Sequence, residues 1–201
     1  MPKVSQSHSD ARRAQILDAA IVCFSRQGFH RATMHDIVTQ SKLSPGAIYN
    51  YFESKEKIIE AIAAERHAKE RKLMMEARKE ATVSDVLKRI RDGFFDELRN
   101  PKERVHRRVS IQLWAEAQRN PRILKLIRRG VNAPRSLLRG ILFDAQQRGE
   151  ISDKVDSDAA ARFLIAAFHG LVLQLEWDDQ VEIAPHIRLL DNFLESMSPP
   201  F

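Results

Sequence analysis

The sequence predicts an all-α protein, because helix signals recur along the chain and strand signals do not. Apolar residues repeat with a 3.6-residue period in successive segments, and capping residues or prolines mark about nine helix starts. No segment alternates apolar and polar residues over the length of a strand, and no hairpin turn joins two strand-like runs. The hydrophobic fraction of 43% is enough to build a core in one or two folded domains.

The first helix is predicted over residues 10–27, and Gly28 ends its pattern. The apolar residues that recur there at helical spacing are Ile16, Leu17, Ala20, Cys23 and Phe24. Residues 1–9 lack this pattern and are predicted to be a frayed arm. Cys23 is the single cysteine, so no internal disulfide can form, and its apolar neighbours favour a buried small residue over a redox sensor.

Two short helices joined by a tight polar turn are predicted within residues 28–57. Thr33 can cap the first helix, with Asp36 three residues later in a capping-box arrangement. Ser44 can cap the second helix, and Pro45 occupies its first helical position, where a missing N–H costs nothing.

The second short helix has one apolar face and one polar face. Ile48 and Phe52 lie four residues apart and are predicted to point inward. Tyr49, Asn50 and Tyr51 are then left facing outward. A short helix that presents two phenols and an amide, docked on a preceding capped helix, has the layout of a helix-turn-helix that reads DNA.

A long helix is predicted next, from Lys55 to about Ala81, with Ser54 as its cap. The remaining predicted helix starts are Thr82, Asn100-Pro101, Asn120-Pro121, Asn132-Ala133-Pro134, Asp156-Ser157-Asp158 and Ala184-Pro185. The third of these prolines, Pro134, is predicted either to open a helix or to kink one.

The net charge of +6 is compatible with a polyanionic partner, but the basic residues are unevenly distributed. Residues 1–60 hold 8 basic and 6 acidic residues, residues 61–150 hold 22 and 12, and residues 151–201 hold 3 and 9. The helix-turn-helix segment is therefore only mildly basic. Phosphate contacts there must come from a few well-placed side chains and helix N-termini.

The sequence contains no catalytic or metal-binding pattern. The seven histidines have no ligand spacing, and no GxGxxG, P-loop or GxSxG motif is present, so no enzyme activity, metal or cofactor is predicted. The N-terminus has no apolar run typical of a signal peptide. The longest apolar stretch, residues 163–175, is predicted to be too short for a membrane span, which favours a cytoplasmic protein without a membrane partner.

Residues 11–62 resemble the N-terminal signature of the tetracycline-repressor (TetR) family of bacterial transcriptional regulators. The residues that carry the resemblance are Phe24, Gly28-Phe29, Thr33, Asp36-Ile37, Ser44-Pro45-Gly46, Tyr49, Tyr51-Phe52 and Lys55. One departure is Lys42-Leu43, where the family commonly has Gly-Val. A side chain at residue 42 limits the turn to negative φ or to modest strain.

The resemblance implies a DNA-binding domain of three helices over residues 1–54. It also implies a larger helical domain over residues 55–201, which binds a small effector and forms a homodimer through its last two long helices. The protein would then be a ligand-responsive regulator, in the first place a repressor. It would bind a pseudo-palindromic operator in double-stranded DNA until an effector moves the fourth helix.

The predicted DNA-binding residues are Thr33, Ser44, Gly46, Ala47, Tyr49, Asn50, Tyr51 and Lys55. The two capped helix N-termini can also hold phosphates, and the glycine lets the backbone approach the DNA closely. Asn50 can bond adenine, while Ala47 and Tyr49 can contact a thymine methyl. Tyr51 and Lys55 are predicted to contact phosphate on either side of the helix. The alternative for Tyr51 is partial burial beside the neighbouring phenylalanine.

The effector site is predicted among residues of the larger domain: Phe94, Trp114, Phe143, Phe168 and His169. In the alternative interpretation the phenylalanines are ordinary core residues, and the histidine is a hydrogen-bonded core residue. The same region is rich in arginine, at residues 104, 107, 108, 128, 129, 135 and 139. These arginines either form solvated faces or favour an anionic, amphiphilic effector, such as an acyl chain with an acidic head.

The last two helices have broad apolar faces and predict a dimer interface. The interface residues are Phe163, Ala167, Leu171, Leu175, Leu190, Phe193 and Leu194, and small residues nearby permit close approach. The alternative is internal packing within a monomer. For the whole chain, the alternative function is an all-helical acyl-type binding or scaffold protein that does not read DNA. The outward polar face of the second short helix argues against that alternative.

Overall fold

The computed structural model describes residues 6–199 of the chain. Its nine α-helices in this range are α1 (Gln6–Arg31), α2 (Met34–Ser41), α3 (Pro45–Tyr49), α4 (Lys55–Ala77), α5 (Val83–Arg99), α6 (Pro101–Glu116), α7 (Pro121–Gln147), α8 (Ser157–Trp177) and α9 (Ile183–Ser196). No strand is present among these residues. The predicted all-α class and the number of helices are confirmed.

Most helices begin at the predicted caps, and the differences have simple causes. Residues 6–9 belong to α1 and are not frayed, and the remainder of the predicted arm lies outside the described residues. α4 ends at Ala77, four residues early, because a turn closes there with hydrogen bonds from Lys79 and Glu80 to carbonyls just upstream. Pro134 lies inside α7 and opens no helix, since one missing N–H does not stop a helix of 27 residues.

Gly28 interrupts α1 and redirects the chain toward α2. Its backbone has φ 81° and ψ 158°, a conformation that glycine adopts without a steric penalty. Phe29 then packs back on the helix, with its ring centroid 5.5 Å from that of Phe24. The predicted stop at Gly28 is confirmed.

The contacts divide the chain into two compact units. Unit 1 comprises Met1–Arg66 and Arg104–Ile127. Its core combines side chains from the first helices with others from α6 and α7: Ile16, Phe24, Ile37, Ile48, Ile58, Ile59, Val109, Leu113, Ala117 and Ile123. The helix-turn-helix segment is thus packed on helices that come much later in the sequence.

Unit 2 comprises His67–Glu103 and Arg128–Phe201. Its core includes Met74, Leu87, Ile90, Leu138, Leu142, Ala145, Ala161 and Met197. The predicted boundary between residues 54 and 55 does not coincide with this division, because residues of α6 complete the core of unit 1. The boundary stays a prediction about where function divides.

Candidate nucleic-acid interface and effector region

The N-terminus of α2 is held by a complete capping box. Asp36 N–H donates to Thr33 Oγ1 at 3.2 Å, and both Thr33 N–H and Thr33 Oγ1 donate to Asp36 Oδ2, at 2.8 and 2.7 Å. The hydrogen bond from the Thr33 hydroxyl lowers the pKa of the Asp36 carboxyl most, and the one from the Thr33 N–H lowers it further. The predicted cap is confirmed, and its geometry fixes the first helix of the motif.

The second helix of the motif, α3, is capped by Ser44, whose hydroxyl accepts a hydrogen bond from Ala47 N–H at 3.2 Å. Ile48 is fully buried, while the side chain of Tyr49 is 53% exposed. Gly46 has open space where a Cβ would stand, so the backbone of this first turn is accessible. The predicted division into an inward face and an outward face is therefore present.

The turn between the two helices is built around Lys42, which caps α2 with φ 58° in the left-handed region. Of the two conformations expected for a side chain here, the structure has the strained one. The turn is anchored on both sides. Gln15 Nε2 donates to the carbonyl of buried Ser41 at 2.7 Å, and Leu43 packs against the core of unit 1.

Tyr51 is only partly exposed and packs against the core of unit 1. Its hydroxyl donates to Ser9 Oγ at 3.4 Å. The partial burial raised as an alternative is thus present, and the polar end of the side chain contacts α1. The contact of Tyr51 with phosphate stays a prediction.

Lys55 has a structural role that its position in the sequence did not reveal. Its Nζ donates to three backbone carbonyls, those of Phe29 at 2.8 Å, His30 at 3.0 Å and Ala32 at 3.2 Å. It also lies 4.8 Å from the centroid of the Phe29 ring. The break at Gly28 frees these carbonyls, and that break was the available signal. A phosphate contact by Lys55 stays a prediction. It would require Nζ to exchange one of its three carbonyl partners for a phosphate oxygen.

A second contact missed at the sequence level joins α1 to α6 within unit 1. His30 Nε2 lies 2.6 Å from Oε2 of Glu116, a carboxylate that is only 9% exposed. Gln112 Nε2 donates to the carbonyl of Ser25 at 3.4 Å. No local pattern marks such contacts, because the partners lie more than 80 residues apart in the sequence.

Of the predicted effector residues, the structure brings together Phe94, Phe168 and His169. The Phe94 and Phe168 rings meet edge to face with centroids 5.2 Å apart, and the His169 ring lies 6.0 Å from that of Phe168. Phe95 joins them, with its ring centroid 6.1 Å from that of Phe168. Phe143 lies apart from this aromatic cluster of unit 2, with 54% of its side chain exposed.

Trp114 belongs to unit 1, whereas the other predicted effector residues belong to unit 2. The arginines of the region also differ from one another. Arg135 Nη1 binds Asp158 Oδ1 at 2.8 Å, so its charge is already compensated, and Arg107 is 7% exposed. The effector site stays a prediction.

The predicted dimer interface is largely accessible in the single chain. Phe163 is 53% exposed although its ring packs 4.6 Å from that of Phe193, and Ala167 is exposed. Leu175, Leu190 and Leu194 are partly exposed. The prediction for Leu171 is wrong, because that side chain is 2% exposed and is already buried within the chain. The interface itself stays a prediction.

The helix that carries the longest apolar stretch begins at the predicted cap and extends beyond the stretch at both ends. α8 is long and apolar enough to cross a membrane, yet only 22% of its most apolar window is buried. The stretch of residues 163–175 alone stays shorter than a membrane span, and only the whole of α8 reaches that length. Length and composition alone do not distinguish a membrane span from a helix covered by protein.

Cys23 is buried, as predicted, and burial raises the pKa of its thiol. Within residues 6–199, no group of three or more histidine, cysteine, aspartate or glutamate side chains could hold a metal ion.

Comparisons with known proteins agree with this architecture. The family model of bacterial regulatory proteins of the tetR family matches residues 16–62, and that of the C-terminal region of BetI-type transcriptional repressors matches residues 85–199. The HTH-type transcriptional regulator UidR of Escherichia coli (strain K12) is 26% identical over 179 residues, which cover 87% of this chain and 86% of UidR.

Solved structures are similar over nearly the whole chain. GusR of Salmonella enterica has a TM-score of 0.80 and 28% identity, with 98% of each chain covered. A transcriptional regulator from Saccharomonospora viridis, solved in complex with choline, has a TM-score of 0.76 and 26% identity over 93% of this chain and 96% of that one. UidR and the relative from Saccharomonospora viridis are described as regulators of transcription. The chain therefore belongs to the TetR family and is a ligand-responsive, DNA-binding transcriptional regulator.

Proposed function

We propose that the protein is a repressor that binds a pseudo-palindromic operator as a homodimer and is released when a small molecule binds. The observation that carries this proposal is α3, a capped helix with Ile48 buried on one side and Tyr49 exposed on the other. An exposed tyrosine on a helix whose backbone is open at Gly46 suits insertion into a major groove.

The residues around α3 support this with different roles. Asn50 and Tyr49 are exposed and available to base edges, while the capped N-termini of α2 and α3 present backbone N–H groups to phosphates. Lys55 contributes chiefly by tying the chain after Gly28 to the start of α4, since its three N–H groups bind three carbonyls. Losing it would then disturb the position of α2 as well as any phosphate contact.

The homodimer is proposed on the exposed apolar face of α8 and α9. Phe163, Trp177 and Leu189 are 53%, 74% and 69% exposed, and α8 is an apolar helix with little of its surface covered. A second copy of the chain would remove these side chains from water, which supports a soluble, cytoplasmic dimer rather than a membrane protein.

The effector is proposed to bind near the aromatic cluster of Phe94, Phe95 and Phe168 in unit 2. Such rings offer apolar surface to an acyl chain or an aromatic body. Arg128, Arg129 and Arg139 are exposed and belong to the same unit, which supports an anionic, amphiphilic ligand. Choline, bound by the relative from Saccharomonospora viridis, is a cation and provides the opposite case for comparison.

The test of DNA reading uses a duplex recovered by selection from a random library with the wild-type protein. Tyr49→Ala should weaken binding to this duplex by about 1–3 kcal/mol and reduce discrimination against random DNA, because a groove contact is lost. Met75→Ala is the matched control, since Met75 is also an exposed apolar residue, at 44%, but lies on α4 in unit 2. Unchanged affinity of the Tyr49 variant in fluorescence anisotropy would refute the assignment of α3.

The test of the dimer compares two equally exposed phenylalanines. Phe163→Arg should split the dimer in analytical ultracentrifugation while circular dichroism stays unchanged, because a charge is placed in the interface but not in the core. Phe143→Arg, at a residue 54% exposed on α7, should leave the dimer intact. A wild-type protein that is monomeric at micromolar concentration would contradict the proposal.

The test of the effector follows ligand binding to the wild-type protein by isothermal titration calorimetry together with operator release. Fatty acids and acyl thioesters should bind and release the selected duplex, and choline should do neither. Binding of choline alone would overturn the anionic preference, and binding without release would show that the site does not regulate DNA affinity.

A further inference from the structure

The basic side chains near α3 differ in whether they already have partners. Residues 6–62 contain seven of them, and four are engaged within unit 1. Lys55 binds three carbonyls. Arg12 contacts Gln15, Arg13 contacts Glu65, and Lys57 contacts Glu60. The cations that stay available are Arg26 and Arg31, which belong to α1, and Lys42, which belongs to the turn leading into α3.

Lys42 occupies a backbone conformation that does not suit a lysine. Its φ of 58° is the one positive φ of a non-glycine residue within residues 6–199. A side chain in this region meets steric repulsion that glycine avoids, so lysine makes the turn less stable than glycine would. The turn cannot easily relax, because buried Ser41 on one side and Leu43 on the other are both anchored in unit 1.

The side chain of Lys42 makes no polar contact that would stabilise the fold. It is exposed, and its ammonium makes no hydrogen bond or ion pair with any other residue between 6 and 199. Strain that is kept without a structural benefit indicates a functional one. The recognition helix of a helix-turn-helix enters the groove with its N-terminal end, so the residues just before that end lie beside the sugar-phosphate backbone.

We propose that Lys42 is a phosphate-contacting residue of the operator complex, at the edge of the groove that α3 enters. The inference rests on the proposed DNA-binding function. It assigns a phosphate contact to the side chain that this chain has at residue 42, where the family commonly has glycine. The long, flexible stem and point charge of lysine suit a phosphate, which needs no fixed hydrogen-bond geometry. The proposal also explains how a mildly basic segment with an engaged Lys55 holds DNA.

The experiment follows strain through the melting temperature and charge through DNA binding, in the variants Lys42→Gly and Lys42→Arg. Lys42→Gly removes both the strain and the charge, so the melting temperature should rise by about 2–4 °C while DNA binding weakens. Lys42→Arg keeps both and should resemble the wild type. Lys154→Ala is the control for net charge, because Lys154 is an exposed lysine of unit 2.

DNA binding is measured by anisotropy on the selected duplex between about 50 and 200 mM salt. For a dimer that loses two phosphate contacts, the slope of log affinity against log salt should fall by about two. The deficit of Lys42→Gly should shrink roughly tenfold over this range. A higher melting temperature together with the wild-type salt slope would overturn the inference.

Two further measurements keep the test decisive. If Lys42→Gly does not fold, Lys42→Asn replaces it, because asparagine tolerates positive φ but carries no charge. The wild-type protein must itself bind the selected duplex with a steep salt dependence. Its failure to do so would refute the DNA-binding proposal, whereas a normal wild type with an unchanged Lys42→Asn slope would refute the role of Lys42 alone.

Discussion

The contacts that cap α2 and α3 of the helix-turn-helix segment differ from those that cap α5 of unit 2. In the segment, both caps are local: Thr33 with Asp36, and Ser44 with Ala47, each three residues apart. In unit 2, the start of α5 is also held by a side chain far away in the sequence. Glu150 accepts a hydrogen bond from the N–H of Val83, 67 residues away. A motif can be predicted from the sequence when its contacts join residues a few positions apart, and not when they join distant residues.

The ion pairs of unit 2 show the same difference. Arg91 of α5 binds Asp191 of α9, 100 residues away, and Arg78, just after α4, binds Asp144 of α7, 66 residues away. Arg91 is 12% exposed, so its pair with Asp191 is shielded more from water than an ordinary surface pair. Such pairs join segments of unit 2 that lie far apart in the sequence, and no local pattern marks them.

The largest effects are expected in the two cores, where both regions depend on close packing. Phe24→Ala in unit 1 and Leu142→Ala in unit 2 should each lower the free energy of unfolding by about 2–5 kcal/mol, because both side chains are fully buried. Only the first should abolish binding to the selected duplex under mild conditions in which the second still binds. Equal loss of DNA binding in both variants would show that the two regions do not differ in this way.

These two regions also show how far the sequence could predict the fold and the site. The caps at Thr33 and Ser44, the stop at Gly28 and the buried Ile48 all follow from residue types a few positions apart, and all are present. Leu171 could not be assigned correctly, because periodicity identifies an apolar position but does not say whether the same chain or a second one covers it.

The role of Lys55 was missed for a related reason. Its partners are carbonyls freed by the break at Gly28, more than 20 residues upstream. The sequence signals the break, but it does not show which side chain binds the freed carbonyls. The pairing of Arg135 with Asp158 likewise removes a charge that appeared available for an effector. Tertiary contacts decide which charges are free, and the sequence shows only which charges exist.

An intermediate effect should distinguish a local cap from a distant one on the same helix. Thr82 accepts a hydrogen bond from Asp85 N–H at 3.2 Å, and Glu150 accepts one from Val83 N–H at 2.6 Å, so both stabilise the start of α5. Thr82→Ala and Glu150→Gln should each lower the free energy of unfolding by about 1 kcal/mol at neutral pH, as measured by urea denaturation.

The two caps should differ in their pH dependence. The hydrogen bond from the N–H of Val83 lowers the pKa of the Glu150 carboxyl below its ordinary value of 4.5, and the hydrogen bond from Arg148 lowers it further. The stabilisation is therefore present above that value and is lost as pH falls through the lower pKa of the folded state. The deficit of Glu150→Gln should disappear in acid, while that of Thr82→Ala persists; parallel profiles would contradict the distant cap.

The smallest effect is expected at Asp36, a solvent-accessible member of the capping box. Because its pKa is lowered by Thr33, charged Asp36 stabilises α2 above the ordinary carboxyl pKa of 3.8, and this is lost as pH falls through the lower folded value. Asp36→Asn should lower the melting temperature slightly at neutral pH and not in strong acid. Asp18→Asn, at an exposed aspartate on α1, is the control and should leave the melting temperature unchanged at neutral pH.

The most direct test of the central claim is selection of bound duplexes from a random library, followed by the mass of the complex in sedimentation. A homodimer that reads DNA with two copies of α3 predicts a shared pseudo-palindrome whose half-site centres lie about 34–36 Å apart or a multiple of that distance. The complex should contain an even number of chains per duplex. Recovered sequences without a common motif, or a single half-site bound by one chain, would contradict the account.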